Sequence, residues 1–261
     1  VALLSPLYAE GVVPRQGQLI TVFGQPGAGK STFVEWYINA MDVTCLYFSA
    51  DMDAQDAITR LGAMRTGIKV ADITDAVKHG GADFVHGELE DSKIQWCFDS
   101  SPTLDDIADE LSAYVELHDA YPKVIVIDNA MNIEGQTEDE NGGLRLVFRE
   151  LHRLAHETGI CVIILHHARE EGDSRVPAPR SALQGKVGQL PAIILSVALD
   201  GINEIFRISA VKCRSGKQDP SGKHYHQISA QPEYASFDVF RQAYPTVSYG
   251  DWDSSQGDYR G

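Results

Sequence analysis

Short β-branched and aromatic runs alternate along this chain with longer stretches whose apolar residues recur at helical spacing. The first run, Leu19-Ile20-Thr21-Val22-Phe23, predicts a buried strand, and Ser31 to Met41 predicts the helix that follows it. Thr44 to Ser49 predicts a second strand and Ala54 to Thr66 an amphipathic helix. From Gly67 to Gly87 the pattern reads as irregular, with Gly80-Gly81 marking a loop. Ile94 to Phe98 predicts a strand, and Thr103-x-x-Asp106 offers an N-cap for a helix running to about His118. The run K-V-I-V-I-D from Lys123 to Asp128 is apolar enough for burial on both faces. A helix over Leu144 to Thr158, a strand over Ile160 to Leu165 and two further runs, Ala192 to Leu199 and Ile205 to Val211, complete the series. Strands and helices alternating in this way predict an α/β fold, a mainly parallel sheet with helices on both faces.

Composition narrows the picture. A chain of 261 residues with 43% hydrophobic content can bury a sizeable core and is most simply one α/β domain with short additions. No stretch is long and apolar enough to cross a membrane, and Val1 to Pro6 lacks the basic start and apolar run of a signal peptide, so an intracellular, cytoplasmic location is expected. The chain opens on Val1 and not on Met, which leaves room for an upstream segment. Cys45, Cys97, Cys161 and Cys213 form no C-x-x-C pair and read as reduced packing residues. The net charge of −15 argues against binding nucleic acid through an extended basic surface, while leaving a local basic channel open. Acidic residues cluster at Glu134 to Glu140 and in a Gly/Ser/Asp/Tyr-rich tail from Tyr249 to Gly261, which reads as disordered or partner-bound.

The most specific chemistry lies at Gly24 to Ser31, G-Q-P-G-A-G-K-S, a complete G-x-x-x-x-G-K-[ST] phosphate-binding loop between a strand-like and a helix-like run. Gly24, Gln25, Pro26, Gly27, Ala28, Gly29, Lys30, Ser31 and Thr32 are the candidate nucleotide-binding residues. The glycines bring bare N–H groups to phosphate oxygens, and the helix N-terminus adds its positive end to the same anion. Lys30 would reach the β- and γ-phosphates of ATP and Ser31 would ligate Mg²⁺. Asp128, ending the most apolar strand, is the second candidate for holding Mg²⁺, opposite Ser31. Asn129 follows it, so a carboxylate that orients attacking water must come from elsewhere.

Taken in order, G-Q-P-G-A-G-K-S, then L-Y-F-S-A-D-M at 46–52, C-F-D-S-S-P-T-L-D-D-I at 97–107, V-I-V-I-D at 124–128, I-L-H-H-A-R at 164–169 and V-K-C-R-S-G-K at 211–217 resemble the motor domain of RecA-like ring ATPases, specifically DnaB-type replicative helicases. The resemblance covers roughly residues 1–228, taken as a RecA-like ATPase domain, with 229–261 as a C-terminal extension. It implies that Asp51 stands where the family usually has a glutamate that polarises water, with Asp53 as an alternative, and that His167 occupies a γ-phosphate sensor position. Read without the resemblance, Asp51 has the alternative of capping the helix starting at Ala54, and His166-His167 that of a strand end with one buried and one solvated ring. It further implies that Lys212 and Arg214, two apart and so on one side of a strand, reach into a neighbouring subunit's site, where an arginine finger makes hydrolysis depend on assembly.

Two loops are candidates for touching DNA, 129–143 and 169–186; the second carries Arg169, Arg175, Arg180 and Lys186 and would contact phosphates without reading sequence. The first is acidic, and neither holds an aromatic residue for base stacking. His152 and His156, one helical turn apart, read as an exposed polar face, and His224-Tyr225-His226 as the solvated face of a strand. The leading expectation is an ATP-hydrolysing motor that forms a homo-oligomeric, hexameric ring on single-stranded DNA with replication partners, a helicase of a phage or plasmid system acting in the host cell. The alternatives are a recombination or DNA-processing factor on the same core, including a nuclease, and an ATP-gated scaffold that hardly hydrolyses.

Overall fold

The strand at Leu19–Gly24 (β1) occupies the middle of a nine-stranded sheet in the computed structural model, which describes residues 5–81, 83–134 and 140–238. The other strands are β2 (Cys45–Ser49), β3 (Ile94–Cys97), β4 (Val124–Asp128), β5 (Cys161–His167), β6 (Ile193–Asp200), β7 (Ile205–Cys213), β8 (His226–Gln231) and β9 (Ser236–Asp238). Their order is β3-β2-β4-β5-β1-β6-β7-β8-β9. Pairing is parallel from β3 through β6 and antiparallel from β6 to β9. Every residue of β1, β2 and β4 is buried, which is why their sequences read as continuous apolar runs.

Period-two alternation sends neighbouring residues of these strands to opposite faces. Ile20, Val22, Tyr47 and Val126 join Leu7 of a short helix at Ser5–Ala9 (α1) and Phe33 and Val34 of a helix at Lys30–Met41 (α2) in one core. Leu19, Phe23, Ile125 and Ile127 join Leu111 of a helix at Leu104–His118 and Phe148 of a helix at Glu140–Thr158 in the other. The sheet is thus covered on both sides, as the alternation of elements predicts. The expected capping box forms: Thr103 accepts from the Asp106 amide at 3.1 Å while Asp106 accepts from the Thr103 amide at 2.8 Å.

The stretch that reads as irregular, Gly67 to Gly87, is instead largely helical. After a helix at Ala54–Thr66 (α3), whose end is set by Gly67 in a left-handed conformation, the chain forms helices at Val70–Lys78 and Asp83–Glu90. Ile73 and Val85 pack with Ala63 of α3 in a small separate cluster. The first of these helices has no side-chain cap, and the apolar contacts that hold both come from a partner ten or more residues away in sequence. Local pattern reading has little to detect there.

At the other end, β8 and β9 carry the sheet to Asp238, across residue 228, at which the sequence divides the chain. The acidic tail lies outside the described residues, as does most of the acidic run 134–140. Cys45, Cys161 and Cys213 are buried and all four cysteines are unbridged. Among the described residues no helix is long and apolar enough to cross a membrane.

Candidate active site

β1 delivers the chain to the phosphate loop at Gly24, where a Cβ would sit 2.4 Å from the Val197 carbonyl oxygen of β6, so no larger residue fits without moving a strand. Gly27 and Gly29 hold φ of 74° and 75°, a left-handed conformation that side chains disfavour. α2 begins at Lys30 with no side-chain cap on its first turn, leaving its amides and positive dipole end to the loop. Lys30 is buried and donates to the carbonyls of Gly24 at 3.2 Å and Gln25 at 3.1 Å. Burial lowers its pKa, opposed by the charges of Asp128 and Asp51. A concave row of amides with a buried cation at its end suits the phosphates of a nucleotide.

Asp128 closes the opposite side of this cradle. Its carboxylate accepts a hydrogen bond from the Tyr47 hydroxyl at 3.2 Å, and the Ser31 hydroxyl lies near enough to lower its pKa. Burial pushes its pKa up and Asp51 adds to that, while the Ser31 and Tyr47 hydrogen bonds and Lys30 pull it down. A Ser hydroxyl and a carboxylate near one another beside the loop form an all-oxygen donor pair of the kind that Mg²⁺ takes together with phosphate oxygens and water. The two candidate metal ligands, Ser31 and Asp128, are therefore brought together.

The β2–β4 register sets Ser49 opposite Asp128, which carries Asp51, two residues on, to the same end of the sheet. Asp51 accepts from the Asn129 side-chain amide at 3.0 Å and from that of Asn132 at 3.3 Å. The capping role belongs to Asp53, whose carboxylate accepts from the Asp56 amide at 2.9 Å at the start of α3. Asn129 and Asn132 are site residues that the sequence offers only as an Asn pair three apart after a strand; Tyr47 gives no sequence signal distinguishable from its apolar neighbours.

β5 lies beside β1 with His167 opposite Gly24 and His166 opposite Phe23. His166 is fully buried and its Nε2 donates to the Gln184 carbonyl at 3.2 Å. Burial lowers its pKa to about 4, so the ring is neutral at physiological pH. His167 is half-buried next to the loop, with an Nδ1 that is buried and makes no hydrogen bond. Burial and the Lys30 charge lower its pKa as well. A neutral imidazole at this place can donate to a phosphate oxygen or accept from water.

Lys212 and Arg214 sit at the end of β7. Lys212 pairs in register with Ile194, and the Arg214 amide bonds the Ala192 carbonyl, whose own amide bonds Leu19. Leu19 and Gly24 are the two ends of β1, separated by about 17 Å at ~3.3 Å per residue. Within one chain Arg214 therefore lies level with the end of β1 remote from the phosphate loop, and Lys212, across Ile194 from Thr21, lies midway along it. Lys212 donates to the carbonyls of Gly188 at 2.8 Å and Gln189 at 2.6 Å, and Arg214 to that of Leu190 at 3.0 Å. Burial and the neighbouring Arg214 and Arg180 lower the Lys212 pKa to about 8.

Of the four basic loop residues, Arg180 and Lys186 line a cleft of about 430 Å³ together with Lys212, and Arg169 and Lys186 line the adjoining one. Arg175 is held apart, its guanidinium paired with Asp173 at 2.9 Å and its carbonyl accepting from Arg207. Gln25 of the phosphate loop donates to the Glu171 carbonyl at 2.9 Å, a direct link between the nucleotide loop and this basic segment. A cavity of about 250 Å³ opens beside Gly29 and Thr32, lined also by Arg60, Leu199, Pro232 and Phe237; sequence reading gives no hint of it. His152 and His156 lie on a partly exposed helix face, as expected. The solvated strand face expected for His224 and His226 is not found: His226 is buried and both rings meet Glu10.

Residues 6–173 match the model of a family described as AAA domain. The Gene 65 protein of Mycobacterium phage L5 is 36% identical over 237 residues, covering 86% of this chain and 88% of that protein. The Gene 65 protein of Mycobacterium phage D29 is 36% identical over 217 residues, covering 79% and 93%. Among solved structures, a DnaB-like replicative helicase described with its interactions with primase superposes with a TM-score of 0.77 at 18% identity, over 89% of this chain and 60% of that one. A second solved structure, an ATPase domain, gives 0.76 at 17% identity, over 89% of this chain and 88% of that one. This chain thus spans 60% of the length of the DnaB-like helicase, and at these identities the likeness is one of fold. With its phosphate loop, its mainly parallel sheet and these relatives, the chain belongs to the AAA-domain family of P-loop ATPases, is a relative of the mycobacteriophage Gene 65 proteins, and has the RecA-like fold of DnaB-type helicase ATPase domains.

Proposed function

We propose that this chain is the motor domain of an ATP-driven, ring-forming translocase on single-stranded DNA, a DnaB-like helicase of a phage replication system. The observation that carries the reading is that Arg214 stands level with Leu19, at the end of β1 remote from its own phosphate loop, with Lys212 beside it level with Thr21. Cations at that end meet a γ-phosphate only when a second copy presents its loop to them, which makes an assembly, here a hexameric ring, the unit of hydrolysis. Bound Mg²⁺ would neutralise charge on the β- and γ-phosphates. Ser31 and Asp128 would hold it, Lys30 would move from the Gly24 and Gln25 carbonyls to the phosphates, Asp51 would orient water and His167 would sense the γ-phosphate. The cavity beside Gly29, Thr32 and Arg60 would take the nucleoside.

The cleft shared by Arg180, Lys186 and Lys212 supports a path for a nucleic-acid backbone, and the Gln25–Glu171 hydrogen bond supports its coupling to nucleotide. One observation favours the reading of an ATP-gated scaffold: both oxygens of Asp51, an acid one methylene shorter than glutamate, are engaged by Asn129 and Asn132. ATP hydrolysis measured at several protein concentrations, with and without single-stranded DNA and beside Lys30→Ala, separates the two. Turnover that rises steeply with concentration and DNA is the expected result. Nucleotide binding with negligible turnover throughout would leave the scaffold.

A further inference from the structure

Beside β7 and β8, Glu10, His224 and His226 each offer one ligand atom, and these atoms all lie within 4.8 Å of one another. Glu10 Oε1 is 2.7 Å from His224 Nε2, and Glu10 Oε2 is 3.1 Å from His226 Nε2. The two rings stand nearly perpendicular, 5.3 Å between centroids. We propose that these three residues form a binding site for one zinc-class divalent transition-metal ion.

Two imidazoles and a carboxylate make a donor set that zinc uses, with bonds of about 2.0–2.2 Å, which sets ligand atoms of a tetrahedral site about 3.3 Å apart. The observed separations are close to that, so the side chains need only small rotations to surround an ion. Each neutral imidazole would turn its Nε2 lone pair to the ion, with the proton that now faces the carboxylate moving to Nδ1 as the ion enters.

The ligands sit on braced backbone. The His224 amide donates to Asp219 at 2.8 Å, the Ser209 hydroxyl donates to the His224 carbonyl at 2.6 Å, and His226 is paired to Ile208 of β7. Lys217, 3.1 Å from Glu10 Oε1 and largely exposed, competes with an ion for that oxygen and is free to swing outward. Location gives the site a consequence. Lys217 donates its amide to the Glu10 carbonyl at 2.8 Å, and a Cβ on Gly216 would lie 2.5 Å from the Gly11 backbone. An ion bound here fastens the segment after the first helix onto the start of β8, beside the run Arg214 to Lys217.

The test uses the whole chain, stripped with a chelator and free of nucleotide, titrated with Zn²⁺ against a chromophoric competitor and with Co²⁺ followed by visible absorption. One equivalent of Zn²⁺ and the intense bands of low-coordinate Co²⁺ are expected. Glu10→Gln and His224→Gln should each weaken binding at least about tenfold. Lys217→Met should bind as tightly or more tightly, and His156→Gln, on another helix, should bind as the parent does. If either ligand variant does not fold, X-ray absorption on the zinc-loaded parent decides, with two imidazoles and no sulfur expected. No stoichiometric binding by the parent, binding that survives in folded Glu10→Gln and His224→Gln alike, or sulfur coordination would overturn the site and leave a hydrogen-bonded clasp.

Discussion

The side-chain amide of Asn129 donates to Asp51 across 3.0 Å, tying the residue after the buried Asp128 to the acid that follows β2. The position after Asp128 thus holds the carboxylate of another strand in place of supplying one. A hydrogen bond to a charged group is worth about 1.5–3 kcal/mol, and Asn132 shares the load. Asn129→Ala is expected to lower turnover about ten- to a hundredfold with nucleotide binding retained, as read by steady-state hydrolysis beside binding of a fluorescent nucleotide. Unchanged turnover would take Asp51 out of the water-orienting role.

Lys30→Ala should abolish hydrolysis, and Arg214→Ala should spare nucleotide binding but remove turnover. Mixing the two proteins should restore activity, because sites form in which an intact loop meets an intact Arg214 from the next subunit. Full activity of Arg214→Ala alone would end the proposal of action between subunits.

Glu35, on α2, is wholly buried with both carboxyl oxygens unpartnered, and burial, with a small contribution from Asp128 and opposed by Arg60, raises its pKa from 4.5 to about 8. The native state then binds a proton more tightly than the unfolded chain. Stability from this group is full below the unfolded value and is lost as pH rises toward 8, at up to about 1.4 kcal/mol per pH unit crossed. Denaturant unfolding between pH 5 and 8.5 should show this decline, with the window taken from the raised Glu35 value, and Glu35→Gln should flatten it. A parent whose stability is level across the window would place an unseen partner at this carboxyl.

Gly24→Ala drives a methyl into the Val197 carbonyl of the neighbouring strand. A cost of about 1–3 kcal/mol is expected, together with weakened nucleotide binding, because the shifted strand carries the loop with it. Thermal unfolding and nucleotide titration on the same sample check both.

Arg180 and Lys186 share a cleft with Lys212, whereas Arg175 is paired with Asp173. Removing Arg180 or Lys186 should lower the salt dependence of single-stranded DNA binding by about 0.7 in the log–log slope per charge, and Arg175→Ala should change it little. Equal effects at all three positions would argue for a disordered, non-specific contact.

The phosphate loop, its strand and its helix were legible in the sequence because their chemistry is local: glycines at fixed offsets, a lysine and a serine, all within a dozen residues. The buried strands were equally plain, since burial on both faces leaves an unbroken apolar run. The helices between Gly67 and Gly87 were not, because contacts with α3 and not their own propensity hold them. Sheet order was decided only by the tertiary structure. It puts Ser31 near Asp128, brings Asn129 to Asp51, and lays His224 and His226 on Glu10 more than two hundred residues away. It also sends Arg214 to the end of β1 remote from the phosphate loop, with Lys212 level with Thr21. Sequence carries the identity of each reactive group, while the register between strands far apart in the chain carries which groups meet, and no local pattern encodes that register.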